Sequence, residues 1–396
     1  MSYKVLIILT RAFNPNAGGV QRSTYKISSY LREHGCDTHI YSFYKTGHAS
    51  QNVAELHTPK EDGAHANVKN YNRLKEVINQ IKPDIVINQM PYEVRLGRTL
   101  KEAKQMSNFL LLGCLRNTLY PVKLNIDKYL KEVVPKPIQP LFKNNLGEKF
   151  LLQIHKSRHI KLLKFILDTY DYFVMFGPPN IDELKYFVGN YKLDKLHLIP
   201  NSILSVEPEV PAKEKRILWL SRLSYKQKRA DLILSLWKKI MHELPDWQFD
   251  IVGDGDAYED LKQQIDAENL PRVKLYGRQT PYEYYKRSPI YIMTSAFEGF
   301  PNTLIEAQSF GCVPVVYDNY PVCSWVVKEG KSGILIPPFE VDTMAKAVIA
   351  LAKDKSLQNQ LMQSALENAR EFDLKNVGKK WIDFFDRELY SNKNMN

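Results

Sequence analysis

A chain of 396 residues with 44% hydrophobic and 25% charged side chains predicts two globular domains of similar size, and its modest Gly and Pro content excludes collagen-like and low-complexity readings. The four cysteines, Cys36, Cys114, Cys312 and Cys323, form no CxxC pair and no zinc spacing, so reduced thiols are expected rather than a disulfide frame. Lys and Arg exceed Asp and Glu by 11, all of it in the first half: residues 1–200 hold 29 basic and 17 acidic side chains, residues 201–396 hold 26 and 27. A basic half of this kind is suited to an acidic partner such as nucleic acid, anionic lipid or a phosphorylated substrate.

Along the chain, the first apolar run, Val5–Leu9, is too short for the core of a signal peptide and has the length of a strand. No stretch approaches the ~20 apolar residues of a membrane span, and a cytoplasmic location is expected. Further strands are predicted at Thr38–Phe43, Asp84–Asn88, Phe109–Cys114, Tyr172–Phe176 and Leu196–Ile199, with helical patterns between most of them, such as Gln21–His34 ending at Gly35. Pro208 and Pro211 mark a linker over Asn201–Glu214. The rhythm restarts beyond it, with strands at Arg216–Leu220, Phe249–Val252, Val273–Tyr276, Ile290–Met293, Val313–Val316 and Ser332–Ile336. Helices fit Asp231–His242, Ala257–Glu268, Thr303–Phe310, Val341–Lys353 and Ser356–Glu371. Strand–helix alternation of this kind predicts two α/β domains with mainly parallel sheets, over residues 1–200 and 201–374. The helical stretch from 375 to 396 has no strand after it, and either seals the second domain or crosses back to the first. Ligands are expected at the carboxyl ends of the strands, towards a shared cleft.

The sharpest chemical signal is Ser295-Ala-Phe-Glu298-Gly299-Phe300-Pro301-Asn302-Thr303-Leu304-Ile305-Glu306, between a predicted strand and a predicted helix. Gly299 and Pro301 keep Glu298 and Glu306 off a common helix face. The expected arrangement is a loop carboxylate, then the N–H groups of Asn302–Leu304, then a second carboxylate one turn into the helix. Free N–H groups at a helix start attract a phosphate, and carboxylates accept from vicinal hydroxyls, so the set fits a nucleotide sugar. The alternative is a plain strand–turn–helix carrying one exposed glutamate.

This Glu-x7-Glu segment, followed by Gly311-Cys-Val-Pro-Val-Val, resembles the signature of retaining glycosyltransferases of family 4, and the resemblance runs along nearly the whole chain. Gly18-Gly19-Val20 opens the first helix, Pro200-Asn201-Ser202 stands at the linker, Leu220-Ser-Arg222-Leu precedes Lys228, and Val252-Gly253-Asp-Gly255 and Gly277-Arg278 follow in family order. The resemblance implies the GT-B fold, with two Rossmann-like doubly wound domains facing a central cleft. It implies transfer of a hexose or N-acetylhexosamine from a nucleoside-diphosphate sugar, UDP-sugar favoured, to a hydroxyl of a glycan or lipid-linked acceptor in surface polysaccharide biosynthesis, with retention of configuration.

By the same resemblance Glu306 binds the donor ribose, Glu298 touches the transferred sugar, and Arg222 and Lys228 neutralise the diphosphate, so that no metal and no cofactor is expected. Gly18 and Gly19 would approach the donor from the other domain, Gly253 and Arg278 would meet the nucleotide, and Gly299, Phe300, Pro301, Asn302, Thr303 and Leu304 would form the donor loop. Where many relatives carry a histidine near the sugar, this chain reads Cys114-Leu115-Arg116-Asn117, which gives Arg116 or Asn117 that neighbourhood. The Arg222…Lys228 spacing is one residue longer than the common form.

Three other features carry possible chemistry. Asp254-Gly255-Asp256 mimics a metal motif, but its position after a strand reads as a turn plus helix cap. His155 and His159, four apart on a helix, could grip zinc, but Lys156, Arg158 and Lys161 surround them. The stretch 121–168 holds ten basic and four acidic residues interleaved with large apolar ones around Lys143–Lys164, and reads as a basic amphipathic helix meeting an anionic membrane surface, the chain being peripheral at the inner face. A sugar-nucleotide epimerase on the same fold is the rival enzyme. A nucleic-acid binder is the rival from another class, and no recognised nucleic-acid motif supports it.

Overall fold

The computed structural model describes residues 3–15, 18–45, 53–61 and 67–393. The chain divides into two compact units, one of residues 1–117, 152–204 and 374–396 and the other of residues 118–151 and 205–373. The segment 118–151, which the sequence reading assigned to the first domain, belongs to the second unit.

In unit 1 the strands are β1 (Lys4–Leu9), β2 (Asp37–Ser42), β3 (Glu55–His57), β4 (Ile85–Asn88), β5 (Leu110–Cys114), β6 (Tyr172–Met175) and β7 (Leu196–Leu198), all parallel in the order β3-β2-β1-β4-β5-β6-β7. β1, β4 and β5 are nearly continuous apolar runs because helices cover both faces of such a sheet. Helix Gly18–Glu33 ends at Gly35, whose φ of +83° reverses the chain. The helix Leu374–Lys393 belongs to this unit, its Val377, Trp381, Phe384 and Phe385 lying in the same core as β1 and β5. His197 stacks on Phe384 with ring centroids 3.8 Å apart, and a Cβ on Gly378 would meet the Tyr30 ring at 2.3 Å, so only glycine lets this helix close on Gly18–Glu33.

Unit 2 holds β8 (Arg216–Leu220), β9 (Gln248–Val252), β10 (Val273–Leu275), β11 (Ile290–Met293), β12 (Val313–Tyr317) and β13 (Ile334–Ile336), parallel in the order β10-β9-β8-β11-β12-β13. Its core gathers Trp219, Trp237, Phe249, Ile292 and Val315 from both layers. Each sheet reverses its order once, at β1/β4 and at β8/β11, and chains leaving those carboxyl ends diverge to leave room for a ligand.

All four cysteines are buried free thiols. Among the described residues no helix is long and apolar enough to cross a membrane.

Candidate active site

The reversal in unit 2 gathers four polar side chains from two loops. Leaving β8, the chain carries Arg222, Gln227 and Lys228; leaving β11, it carries Glu298. Two backbone clamps join these loops: Ala296 N–H donates to the Gln227 carbonyl at 2.7 Å, and Thr294 Oγ1 donates to the Lys228 carbonyl at 2.7 Å. Thr294 is itself held by the indole N–H of Trp219 at 2.9 Å. Within this frame Lys228 Nζ lies 2.5 Å from Glu298 Oε1. Gln227 Nε2 donates to the Phe297 carbonyl (3.2 Å) and to Glu298 Oε2 (3.4 Å), while Arg222 Nη2 donates to Gln227 Oε1 (3.1 Å).

Burial decides how this set is read. The side chains of Lys228 and Glu298 are only 13% and 8% exposed, and residues 294–300 are buried throughout. The plain alternative required an exposed glutamate, which Glu298 is not. A buried ion pair adds little net stability once desolvation is counted, so its retention at a strand-order reversal points to ligand handling. Arg222 is exposed and bonds through its guanidinium to Gln227, which in turn donates to the Glu298 carboxylate. Sequence reasoning missed Gln227: a polar residue in a basic tract carries no signal until the fold turns it onto Glu298.

Glu306 is also buried, with the Tyr285 hydroxyl 3.5 Å from its Oε2. It sits one turn into helix Asn302–Gln308, as expected from its spacing. The Tyr291 hydroxyl lies 3.0 Å from both Thr303 Oγ1 and the Leu220 carbonyl, tying this helix to β8, and burial raises its pKa far above the ordinary phenol value. One expectation is corrected here. Of the three amides expected to face an anion, Asn302 donates to Phe300 (2.9 Å) and Leu304 to Pro301 (3.0 Å), because the Gly299–Pro301 turn closes on itself. Phe300 packs in an aromatic cluster with Phe372 and Trp325, at centroid distances of 5.8 and 6.3 Å.

Gly253 and Gly255 are explained by the protein itself. With φ of +144° and +155°, they pass so close to the exit of β8 that a Cβ would meet the Ser221 carbonyl oxygen at 1.8 Å and that of Leu223 at 2.3 Å. Hydrogen bonds from Ser221 N–H to the Val252 carbonyl, Leu223 N–H to Asp254 and Gly253 N–H to Gly277 zip the exits of β8, β9 and β10 together. These glycines therefore fix the backbone that carries Arg222. Arg278, just after Gly277, is exposed. Asp254 accepts from Gly255 N–H at 2.8 Å, confirming the turn, whereas helix Tyr258–Ala267 is capped by Ala257 without a side-chain bond, so the expected cap is absent.

Unit 1 places its expected residues differently. Gly18 starts its helix at φ +83° with open space about it, and Gly19 follows half-buried. Arg116, beyond β5, donates from Nη1 to Asn201 Oδ1 (3.2 Å), which also accepts from Ser23 Oγ (2.9 Å). The buried Lys26 ammonium caps the Ser202 carbonyl at 2.9 Å. Arg116 Nε is buried without a hydrogen-bond partner beside a cavity of about 20 Å³. That volume suits a water molecule and is far below that of a sugar. His155 and His159 lie with tilted rings 3.9 Å apart beside Phe187, and burial pushes His155 down to about 4. Among the described residues no third His, Cys, Asp or Glu joins this pair as a possible ligand.

In the stretch 121–168 the exposed apolar side chains are unevenly placed. The helix runs Asn145–Thr169, but its second half buries Leu163, Ile166 and Leu167, and the ammonium groups of Lys156 and Lys164 lie over the Tyr186 and Tyr191 rings at 4.2 and 5.0 Å. The exposed large apolar side chains stand earlier: Val133, Ile138, Leu141 (70%), Leu146 (80%) and Phe150 (58%), among exposed Lys131, Lys136, Lys143 and Lys149. The side chain of Lys128 lies outside the described residues.

Comparison with known proteins gives this geometry a context. The amylovoran biosynthesis glycosyltransferase AmsD of Erwinia amylovora is 23% identical over 395 residues, 97% of this chain and all of that protein. A poly(glycerol-phosphate) alpha-glucosyltransferase of Bacillus subtilis is 27% identical over 187 residues, 47% of this chain; the match spans only 28% of that longer protein. Among solved structures, Anabaena Alr3699/HepE in complex with UDP-glucose superposes with a TM-score of 0.72 at 15% identity, covering 98% of this chain and all of that one. The architecture of two Rossmann-like parallel-sheet domains is that of GT-B proteins, and residues 202–371, which hold Arg222, Gln227, Lys228, Glu298 and Glu306, match the family of group 1 glycosyl transferases.

Proposed function

We propose that this chain is a retaining glycosyltransferase that moves a hexose or N-acetylhexosamine from a nucleoside-diphosphate sugar, with UDP as the favoured nucleotide, to a hydroxyl of a glycan or lipid-linked acceptor in bacterial surface polysaccharide biosynthesis. The observation that carries this reading is the buried Lys228–Glu298 pair, buttressed by Gln227 and Arg222 at the strand-order reversal of unit 2. The leaving nucleoside diphosphate gains negative charge as the glycosidic bond breaks. Lys228 and Arg222 stabilise that charge, the ammonium as a compact point and the guanidinium as a fork, and the reading requires no metal. Glu298, held in place by Lys228 and Gln227, accepts from hydroxyls of the transferred sugar, and Glu306 accepts from the ribose. Departure and attack take place on the same face of the sugar, and the leaving phosphate receives the acceptor proton. The names of the relatives support the reaction class, as does the UDP-glucose held by the Anabaena structure.

The acceptor is assigned to unit 1, with Arg116 as a positioning residue on that side. The lysines and exposed apolar side chains of 131–150 are read as a contact with an anionic membrane surface that presents a lipid-linked acceptor. Thermal unfolding of the chain in UDP-, GDP- and ADP-sugars tests the donor, because a bound donor raises the midpoint. NMR of the product made from the stabilising donor then reads the anomeric configuration. Stabilisation by a UDP-sugar followed by retained configuration supports the reading. Conversion of the donor without any acceptor would assign an epimerase instead.

A further inference from the structure

At the far edge of the unit 1 sheet, β2 and β3 run parallel with His39 paired to Glu55 and Tyr41 to His57. Side chains alternate along a strand and paired residues share a face, so Asp37, His39, Glu55 and His57 all project from the same face of this two-strand edge. The side chains converge there. His39 Nδ1 lies 3.1 Å from His57 Nε2 and 3.6 Å from Glu55 Oε2, and His57 Nε2 lies 3.7 Å from Glu55 Oε1. Among the described residues this is the group of His, Cys, Asp and Glu whose ligand atoms come close enough to share one ion.

From this convergence we infer that His39 Nδ1, His57 Nε2 and the Glu55 carboxylate form a site for one divalent transition-metal ion of the zinc class. Ligands of a tetrahedral zinc ion at bond lengths of about 2.0–2.1 Å stand about 3.3 Å apart, and the separations of 3.1–3.7 Å bracket that value. Two imidazoles and one carboxylate suit such an ion better than calcium or magnesium, which take oxygen ligands. The imidazoles are preformed: their side chains are only 8% and 13% exposed, while that of Glu55 is 68% exposed and leaves a side open to solvent for a further ligand. On the other side of the His39 ring, the Asp37 carboxylate stands 3.3 Å from Nε2 without a hydrogen bond to it, so a negative charge lies close behind the imidazole that would face the ion. β3 is a three-residue edge strand, and an ion ligated from both strands would fasten it to β2. This site is independent of the sugar-transfer reading, because it lies on another edge of the fold and uses none of the residues assigned to transfer.

The test uses the untagged full chain, stripped with a chelator and titrated with Co²⁺ while its visible absorption is followed. The expected result is saturation at one ion per chain with the intense bands of a tetrahedral or five-coordinate site, and displacement by Zn²⁺. Free Zn²⁺ at a hundredfold over its Kd should raise the unfolding midpoint by about 5 °C or more. His57→Ala should weaken Co²⁺ binding by at least about thirtyfold, and Glu55→Gln, exposed and isosteric, should weaken it about tenfold or more with the fold intact. His155→Ala should bind as the wild type does. Absence of saturable Co²⁺ binding, or equal binding by wild type and Glu55→Gln together with a folded His57→Ala, would overturn the site.

Discussion

The two sheets are wound alike, β3-β2-β1-β4-β5-β6-β7 in one unit and β10-β9-β8-β11-β12-β13 in the other, yet their carboxyl edges are furnished differently. In unit 2 the edge carries two buried carboxylates and a buried ammonium, braced by glycines that tolerate no Cβ and by backbone bonds that lock the strand exits together. In unit 1 the corresponding edge holds the Arg116 guanidinium tied to Asn201, and Gly18 with open space around it. One winding therefore carries two differently furnished edges, because the sheet supplies only the place and the loops supply the chemistry.

The largest effect expected from breaking the unit 2 side comes from Lys228→Ala. Turnover with sugar donor should fall by roughly two to four orders of magnitude. The variant should also lose roughly 3 kcal/mol of stability, because Glu298 is left buried without its partner. Adding Glu298→Gln to Lys228→Ala should recover much of that stability and none of the turnover, as followed by chemical denaturation and a nucleotide-release assay. Recovery of both would show the pair to be structural. Next in size, Gly253→Ala should cost roughly 2–4 kcal/mol, since its Cβ would strike the Ser221 carbonyl; unfolding curves measure it, and a neutral outcome would mean the zipped exits are not needed.

On the unit 1 side, Arg116→Ala should lower transfer to acceptor about tenfold while leaving UDP affinity unchanged, which sharpens the contrast between a charged donor site and a polar acceptor site. Loss of UDP binding in this variant would erase that contrast. The smallest effect per residue belongs to the patch at 131–150, which is part of unit 2. Each lysine near an anionic surface contributes about 1 kcal/mol, so replacing Lys131, Lys136, Lys143 and Lys149 by Glu should largely remove co-sedimentation with anionic vesicles. Leu146→Ser with Phe150→Ser should weaken it less, and Lys156→Glu hardly at all, given that ammonium's place over Tyr186. Equal binding to neutral and anionic vesicles would mean that the lysines play no part.

How much of this was legible in the sequence follows from how local each signal is. Buried parallel strands announce themselves as apolar runs, so Val5–Leu9, Phe109–Cys114 and Ile290–Met293 stood out and were observed within a residue or so. Glu55–His57 did not, because an edge strand of three residues has no run to show, and with it went the convergence of His39 on His57. Glu298 and Glu306 could be singled out by their spacing around Gly299 and Pro301. Their burial could not, since it depends on β8 and β11 being neighbours although some 70 residues separate them. The same long-range pairing brings Gln227 onto Glu298. The helix Asn145–Thr169 was legible as a helix, but which of its apolar side chains face solvent depends on partners elsewhere in the chain, and the reading placed the exposed patch too late.

The most direct test of the account is calorimetric titration of UDP into the wild-type chain and into Glu306→Ala and Glu298→Ala. One UDP site per chain is expected, with an affinity loss of at least about tenfold (roughly 1.4 kcal/mol) in Glu306→Ala and near wild-type affinity in Glu298→Ala, whose defect appears only when the sugar is attached. Equal affinity in all three chains, or no binding of UDP, GDP or ADP by the wild type, would contradict it.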